Sequence, residues 1–137
     1  MEMYDENLNG PLEALVPNPG LCKRLRSGGW VKSKYFIWFD IETIAGSVYE
    51  LNEAYFKDFE DRNVIPAPTA EELLQAFYKL YPSVRNVIIA PNKKTKGWMI
   101  CWFDQADISF SVVANTLANA LARAYLRVTK KEKNKHV

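Results

Sequence analysis

The most informative hydrophobic pattern runs from Trp98 to Phe103, where six large apolar residues follow one another. Successive side chains of a β-strand point to opposite faces, so both faces of this strand would be apolar. A sheet with one face in water would instead alternate apolar and polar residues. The pattern therefore predicts a strand that is covered on both faces, by other layers of the fold or by a partner.

Other segments have the composition of further strands. These are residues 35–39, the end of a strand at 64–65, residues 84–90 and an alternating edge strand at 108–110. The polar segment 91–97 has turn formers at both ends, so we expect it to join residues 84–90 and 98–103 into a hairpin. The acidic tract 40–61 permits a strand and a short helical or irregular piece, and its periodicity leaves the assignment open.

Three segments carry the signals of helices. The first begins with Asn18 as N-cap and ends at Gly28. The second begins at a capping box, in which Thr69 is the N-cap and Glu72 the third helical residue. Pro82 ends that helix, and the third, residues 115–130, has a polar stripe opposite alanines and leucines. We expect these helices to pack on the predicted strands.

Together these elements predict an α+β fold, an antiparallel sheet of about four or five strands with helices packed on it on both faces. We expect residues 1–17 to be a polar lead-in segment, residues 18–130 a single domain, and residues 131–137 a basic tail. The 137 residues contain 48% apolar residues, enough for a hydrophobic core. No apolar run approaches the roughly 18 residues needed to cross a bilayer. Because the acidic start does not resemble a signal peptide, the expected location is the cytoplasm.

Charge is distributed unevenly along the chain. Residues 1–80 hold 8 basic and 13 acidic side chains, a net charge of −5, whereas residues 81–137 hold 10 and 3, a net charge of +7. A positive half could meet an anionic partner such as nucleic acid. The residues that would form this interface lie in the hairpin loop, the neighbouring strand and the last helix: Arg85, Lys93, Lys94, Lys96, Arg127, Lys130 and Lys131.

Several segments together resemble one known family. They are Leu21-Cys22-Lys23-Arg24-Leu25, Ala67-Pro68-Thr69-Ala70-Glu71-Glu72-Leu73-Leu74, the tryptophan-bearing hairpin, and Ala114-Asn115-Thr116-Leu117-Ala118-Asn119-Ala120-Leu121-Ala122. Over residues 20–130 the chain resembles the phage ABA-sandwich family, small proteins of phages and prophages without an established activity. The resemblance implies a sheet covered by helices on both sides, an alanine-rich closing helix and a bacterial host cell. It implies no catalytic residues.

For each candidate catalytic or metal-binding group of residues, a structural role explains the pattern better than a chemical role. His136 lies beside the C-terminus, where nothing orders a general base, and Cys22 and Cys101 fall at apolar positions that favour buried, reduced thiols. Four carboxylates near strand ends are an alternative magnesium site: Asp40, Glu42, Asp104 and Asp107. No phosphate-binding glycine loop accompanies them. We expect no enzyme activity, no cofactor, no bound metal and no small-molecule substrate.

The sequence therefore predicts a non-catalytic phage or prophage accessory protein that acts through a protein partner or through self-association. A sheet with two apolar faces and few short helices is expected to complete its cover with another subunit. Nucleic-acid binding through the basic half is the alternative.

Overall fold

The computed structural model describes residues 13–54, 58–80, 85–103 and 109–135. Within these ranges the chain forms three helices, one 3-10 helix and six strands, which confirms the α+β class. The chain divides into two compact units, Met1–Thr69 and Ala70–Val137, and each has one three-stranded sheet. No helix among these residues is long and apolar enough to span a membrane.

The first unit contains helix α1, strands β1, β2 and β3, and a 3-10 helix. Their bounds are Pro19–Ser27 for α1, Phe36–Thr43 for β1, Gly46–Glu53 for β2, Asp58–Glu60 for the 3-10 helix and Val64–Ala67 for β3. Both β2 and β3 pair antiparallel with β1, giving the order β2-β1-β3. Helix α1 begins where its sequence signal predicts, because the Asn18 side chain accepts a hydrogen bond from the Leu21 N–H at 2.8 Å.

The core of the first unit lies between α1 and one face of this sheet. It consists of the buried residues Val16, Cys22, Trp38, Ile65 and Ala67. The indole Nε1 of Trp38 donates a hydrogen bond of 2.8 Å to the carbonyl oxygen of Pro17. The end of the polar lead-in is therefore part of the core, which its sequence did not indicate.

The second unit contains helices α2 and α3 and strands β4, β5 and β6. Their bounds are Ala70–Leu80 for α2, Arg85–Asn92 for β4, Gly97–Phe103 for β5, Ser109–Ala114 for β6 and Leu117–Lys135 for α3. Strand β5 lies in the centre and pairs antiparallel with both neighbours, which confirms the predicted hairpin and edge strand. Helix α2 starts directly after Thr69, at the predicted capping box.

Strand β5 is covered unequally on its two faces. Trp102, 1% exposed, packs edge-on against Phe77 of α2 at 5.4 Å and stacks on Phe110 of β6 at 5.6 Å between ring centroids. On the opposite face, Met99 and Cys101 are half-buried. The apolar run thus supplies the core of its unit with one face and a partly open surface with the other.

The prediction of one sheet with four or five strands is wrong, because the described strands form two sheets of three. Arginine side chains occupy one edge of each sheet. Arg26 donates to the Val64 carbonyl oxygen at 3.1 Å on β3. Arg123 and Arg127 donate to the carbonyl oxygens of Val113 and Ser111 on β6, at 2.9 and 3.0 Å. Main-chain groups that already hold a side chain are poor templates for another strand.

Candidate functional site

Strands β1 and β2 continue beyond the end of β3. Strand β3 pairs only with Phe36–Phe39, whereas β1 and β2 stay paired with each other as far as Thr43 and Gly46. We call residues 41–48 the hairpin arm. All eight of these residues are exposed. A two-stranded ribbon is at best marginally stable in water by itself, so the arm is a surface that benefits from a partner.

Three large aliphatic side chains lie on the hairpin arm. Ile41 and Val48 are directly opposite each other, with exposed fractions of 39% and 55%. Ile44, in the turn, is fully exposed. Cross-strand neighbours share a face of the ribbon, so Ile41 and Val48 form one apolar strip that ends near the tip.

Carboxylates lie on both faces of the β1–β2 ribbon. Residues 40–53 include Asp40, Glu42, Glu50 and Glu53 but neither lysine nor arginine. Asp40 differs from the other three because it is mostly buried, with its side chain 14% exposed at the base of the arm. Its Oδ2 atom lies 3.7 Å from Lys23 Nζ. The other three carboxylates are exposed. The strip of Ile41 and Val48 therefore has Glu50 beside it on the same face, whereas Glu42 and Glu53 lie on the opposite face of the ribbon.

Lys23 ties α1 to the base of the arm. Its Nζ donates a hydrogen bond of 2.5 Å to the Tyr49 hydroxyl, and this contact raises the pKa of Lys23. The Oδ1 atom of Asp40 is buried and has no hydrogen-bond partner among the described residues. Asp40 thus acts mainly as a structural counter-charge to Lys23.

The predicted basic residues are only partly brought together. Lys93, Lys94 and Lys96 are exposed in one turn, residues 93–96, which we call the lysine turn. The Asn92 side chain orders this turn by accepting a hydrogen bond from the Lys94 N–H at 3.0 Å. The main chain of the turn is accordingly ordered, and it presents three lysines to solvent.

The remaining predicted basic residues do not extend this cluster in the described structure. Arg127 donates to the Ser111 carbonyl oxygen and lies over the Phe110 ring at 5.2 Å, so it stabilises β6. Arg85 lies in β4, and Lys130 and Lys131 lie in α3, but their side chains are outside the described part of the structure.

Next to the lysine turn lies the less covered face of the second sheet. Ile88 and Val113 are 50% and 36% exposed, and they flank half-buried Cys101 and Met99, their respective neighbours on β5. We call these four residues the open face. Paired residues of antiparallel strands project to the same side, so the four side chains form a continuous apolar surface.

The candidate reactive groups are placed for structure. Cys22 is fully buried, its Sγ donates to the Pro17 carbonyl oxygen at 3.4 Å, and burial raises its pKa to about 12. A thiol with that pKa carries almost no thiolate at neutral pH and is a poor nucleophile. Asp40 and Glu42 share a face of β1, as predicted, whereas Asp104, Asp107 and His136 lie outside the described residues. Where the structure is described, no three His, Cys, Asp or Glu residues are grouped to hold a metal ion.

No protein family, curated protein or solved structure matches this chain. The resemblance to the phage ABA-sandwich family stays a prediction from its motifs. Sequence reasoning missed the hairpin arm, because it treated the acidic tract as solvated surface. The available signal was the presence of Ile41, Ile44 and Val48 within that tract.

Proposed function

We propose that this chain is a non-catalytic protein that acts by binding another protein chain, with the hairpin arm as the contact. The observation that carries the proposal is the exposure of Ile41, Ile44 and Val48 on a ribbon beside which the described residues place no other strand. A cluster of exposed aliphatic side chains with a polar border marks a protein interaction site in many proteins.

The positions of these side chains argue for binding and against a role in folding. Ile37 lies on the same face of β1 as Ile41 but is 3% exposed, so the strand contributes to its own core only through its first half. Replacing an exposed Ile41 or Val48 by threonine should leave folding nearly unchanged, since surface substitutions usually shift stability by less than about 0.5 kcal/mol.

The experiment places a photo-crosslinking amino acid at Ile44 in the cells that naturally express the chain. We expect a discrete covalent adduct with a protein after illumination. The same group at Tyr78, which is 46% exposed on α2, is the matched control and should give none. Combining the crosslinker with Ile41→Thr and Val48→Thr should reduce the adduct. Equal labelling at both positions, or none at Ile44, would contradict the proposal.

The biological setting is proposed from the sequence. A phage or prophage accessory role, in the cytoplasm of a bacterial host, rests on the family resemblance and on composition. Genes for packaging, replication or tail proteins beside the gene of this chain would support that role and indicate its stage. A chromosomal context without phage genes would contradict it.

Nucleic-acid binding is the second candidate, and the exposed lysine turn favours it. Stacking of a base on Trp98 or Trp102 would require an exposed indole, but Trp102 is buried in its unit and Trp98 is half-buried. A fluorescent single strand and a duplex, titrated at low salt with micromolar protein, test it. Binding that weakens steeply with salt and is lost in Lys93→Glu/Lys94→Glu would support this function, and failure of both probes to bind would exclude it.

A further inference from the structure

We infer that the partner of the hairpin arm is a second copy of this chain, which receives the arm at its lysine turn and open face. This inference rests on the proposed function and names the partner of the same site. Each copy has one arm and one receiving surface. The arm of one copy can therefore bind the receiving surface of another, and two-fold dimers are the commonest closed assemblies of soluble proteins.

Charge complementarity is the first argument for this partner. Residues 40–53 contain four carboxylates and no base, whereas residues 93–96 contain three lysines and no acid. Glu50 is exposed on the face that carries Ile41 and Val48, and Glu42 and Glu53 are exposed on the other face of the ribbon. The three lysines are exposed in their turn. Opposite potentials of this kind steer association and fix the orientation of two surfaces.

The second argument is that an apolar area adjoins a charged group on each surface, Glu50 on the ribbon and the lysine turn on the second sheet. The arm supplies Ile41 and Val48, and the open face supplies Ile88 and Val113, all at least 36% exposed. An apolar centre with a polar rim is the common arrangement of protein interfaces. Contact between these two areas would remove the four aliphatic side chains from water.

Charge also argues against the simpler alternatives. If the β1–β2 ribbons of two copies paired with each other, the six exposed carboxylates of Glu42, Glu50 and Glu53 would lie in one four-stranded ribbon, and like charges on facing strands destabilise it. Nucleic acid would be repelled by the carboxylates of the ribbon, so binding to nucleic acid does not account for the arm. The lysine turn of a second copy is a described surface of opposite charge to the arm.

Paired charge reversals test the inference in sedimentation velocity experiments on the full chain. One variant carries Glu42→Lys and Glu50→Lys, and the other carries Lys93→Glu and Lys94→Glu. We expect the wild-type chain to dimerise with increasing concentration, and each variant alone to dimerise at least about tenfold more weakly. An equimolar mixture should regain dimers, because each variant then offers the charge that the other lacks. Glu60→Lys combined with Lys79→Glu, at exposed positions outside both surfaces, is the control and should dimerise like wild type.

Salt dependence gives an independent readout. Exposed charges are screened within about 8 Å at physiological ionic strength, so the dimer should weaken as salt is raised. Circular dichroism spectra must remain those of the wild type, and regained dimers in the mixture show independently that both variants are folded. Variants that dimerise like wild type, or a mixture that stays monomeric, would overturn the inference.

The crosslinking experiment separates this inference from the proposed function. An adduct from Ile44 with twice the mass of the chain supports both. A monomeric wild-type chain whose Ile44 adduct contains a different protein overturns the second-copy inference and leaves the proposed function standing. No adduct, together with a monomer at all concentrations, overturns both.

Discussion

The β1–β2 and β4–β5 hairpins of this chain have strands of similar length, but their turns are packed differently. At the start of β5, Gly97 is buried and approaches β6 so closely that an added Cβ would lie 2.2 Å from the Ala114 carbonyl oxygen. Around Gly46, at the start of β2, a Cβ would meet nothing within 4 Å. The turn of the β4–β5 hairpin packs against the neighbouring strand β6, whereas no described strand lies beside the turn of the β1–β2 hairpin.

This difference shows that the exposure of an apolar side chain depends on which other elements pack around its part of the strand. Ile37 and Ile41 belong to one face of β1, yet Ile37 is 3% exposed where β3 pairs with the strand, and Ile41 is 39% exposed beyond the end of β3. Ile100 on β5 is 1% exposed, on the face where Trp102 packs against Phe77 of α2. Residue type alone would assign all three to the core.

Removing the central ring of the second core should have the largest effect. Trp102→Ala deletes a buried indole that contacts Phe77 and Phe110, and should lower the free energy of unfolding by about 4 kcal/mol. Ile44→Ala, at the exposed tip, should change it by less than about 0.5 kcal/mol. Urea denaturation followed by circular dichroism measures both, and similar losses would show that the arm is packed like a core.

Replacing each of the two turn glycines by alanine should lower the free energy of unfolding by a different amount and for a different reason. Gly97→Ala forces main-chain atoms apart and should cost about 3 kcal/mol. Gly46→Ala has space but must keep φ at +124°, which should cost about 1 kcal/mol. Gly20→Ala, where the Cβ meets only ordinary contacts, is the control. Thermal denaturation of the three variants tests this order, and a harmless Gly97→Ala would contradict the close packing of that turn.

Loss of the arginine that protects β6 should have a moderate effect. Arg127→Ala removes both the hydrogen bond to Ser111 and the contact with the Phe110 ring, and should cost about 1 kcal/mol. Arg127→Lys keeps the charge without the planar guanidinium and should lose less. Denaturation gives the stability, and light scattering should detect more aggregation for the alanine variant because the strand edge is then free. Equal stability of all three proteins would contradict this role.

Relief of strain in the lysine turn should have the smallest effect and the opposite sign. Lys96 adopts φ of 60°, a left-handed conformation that favours glycine. Lys96→Gly should therefore raise the free energy of unfolding by about 0.5 kcal/mol, whereas Lys94→Gly, at an exposed neighbour without that φ, should not. A destabilised Lys96→Gly variant would indicate that the side chain has a packing role.

Local signals predicted most of the individual elements. The Asn18 cap, the Thr69–Glu72 capping box and the polar loop 91–97 each act over a few residues, and the structure has α1, α2 and the β4–β5 hairpin at those places. The contribution of Pro17 to the core was not predictable in this way, because its hydrogen bond with Trp38 joins residues 21 positions apart. The hairpin arm was missed for a related reason, since exposure of Ile41 depends on where β3 ends.

By itself, the sequence determined the α+β class, the helix starts and the pairing of β4 with β5, because capping, turn chemistry and hydrophobic periodicity are local. Only the tertiary structure decided that the strands form two sheets of three and that Ile41, Ile44 and Val48 stay exposed. Which strands become neighbours depends on contacts between distant residues, such as the hydrogen bond from Arg26 to the Val64 carbonyl oxygen. Hydrophobic periodicity along the chain does not encode such contacts.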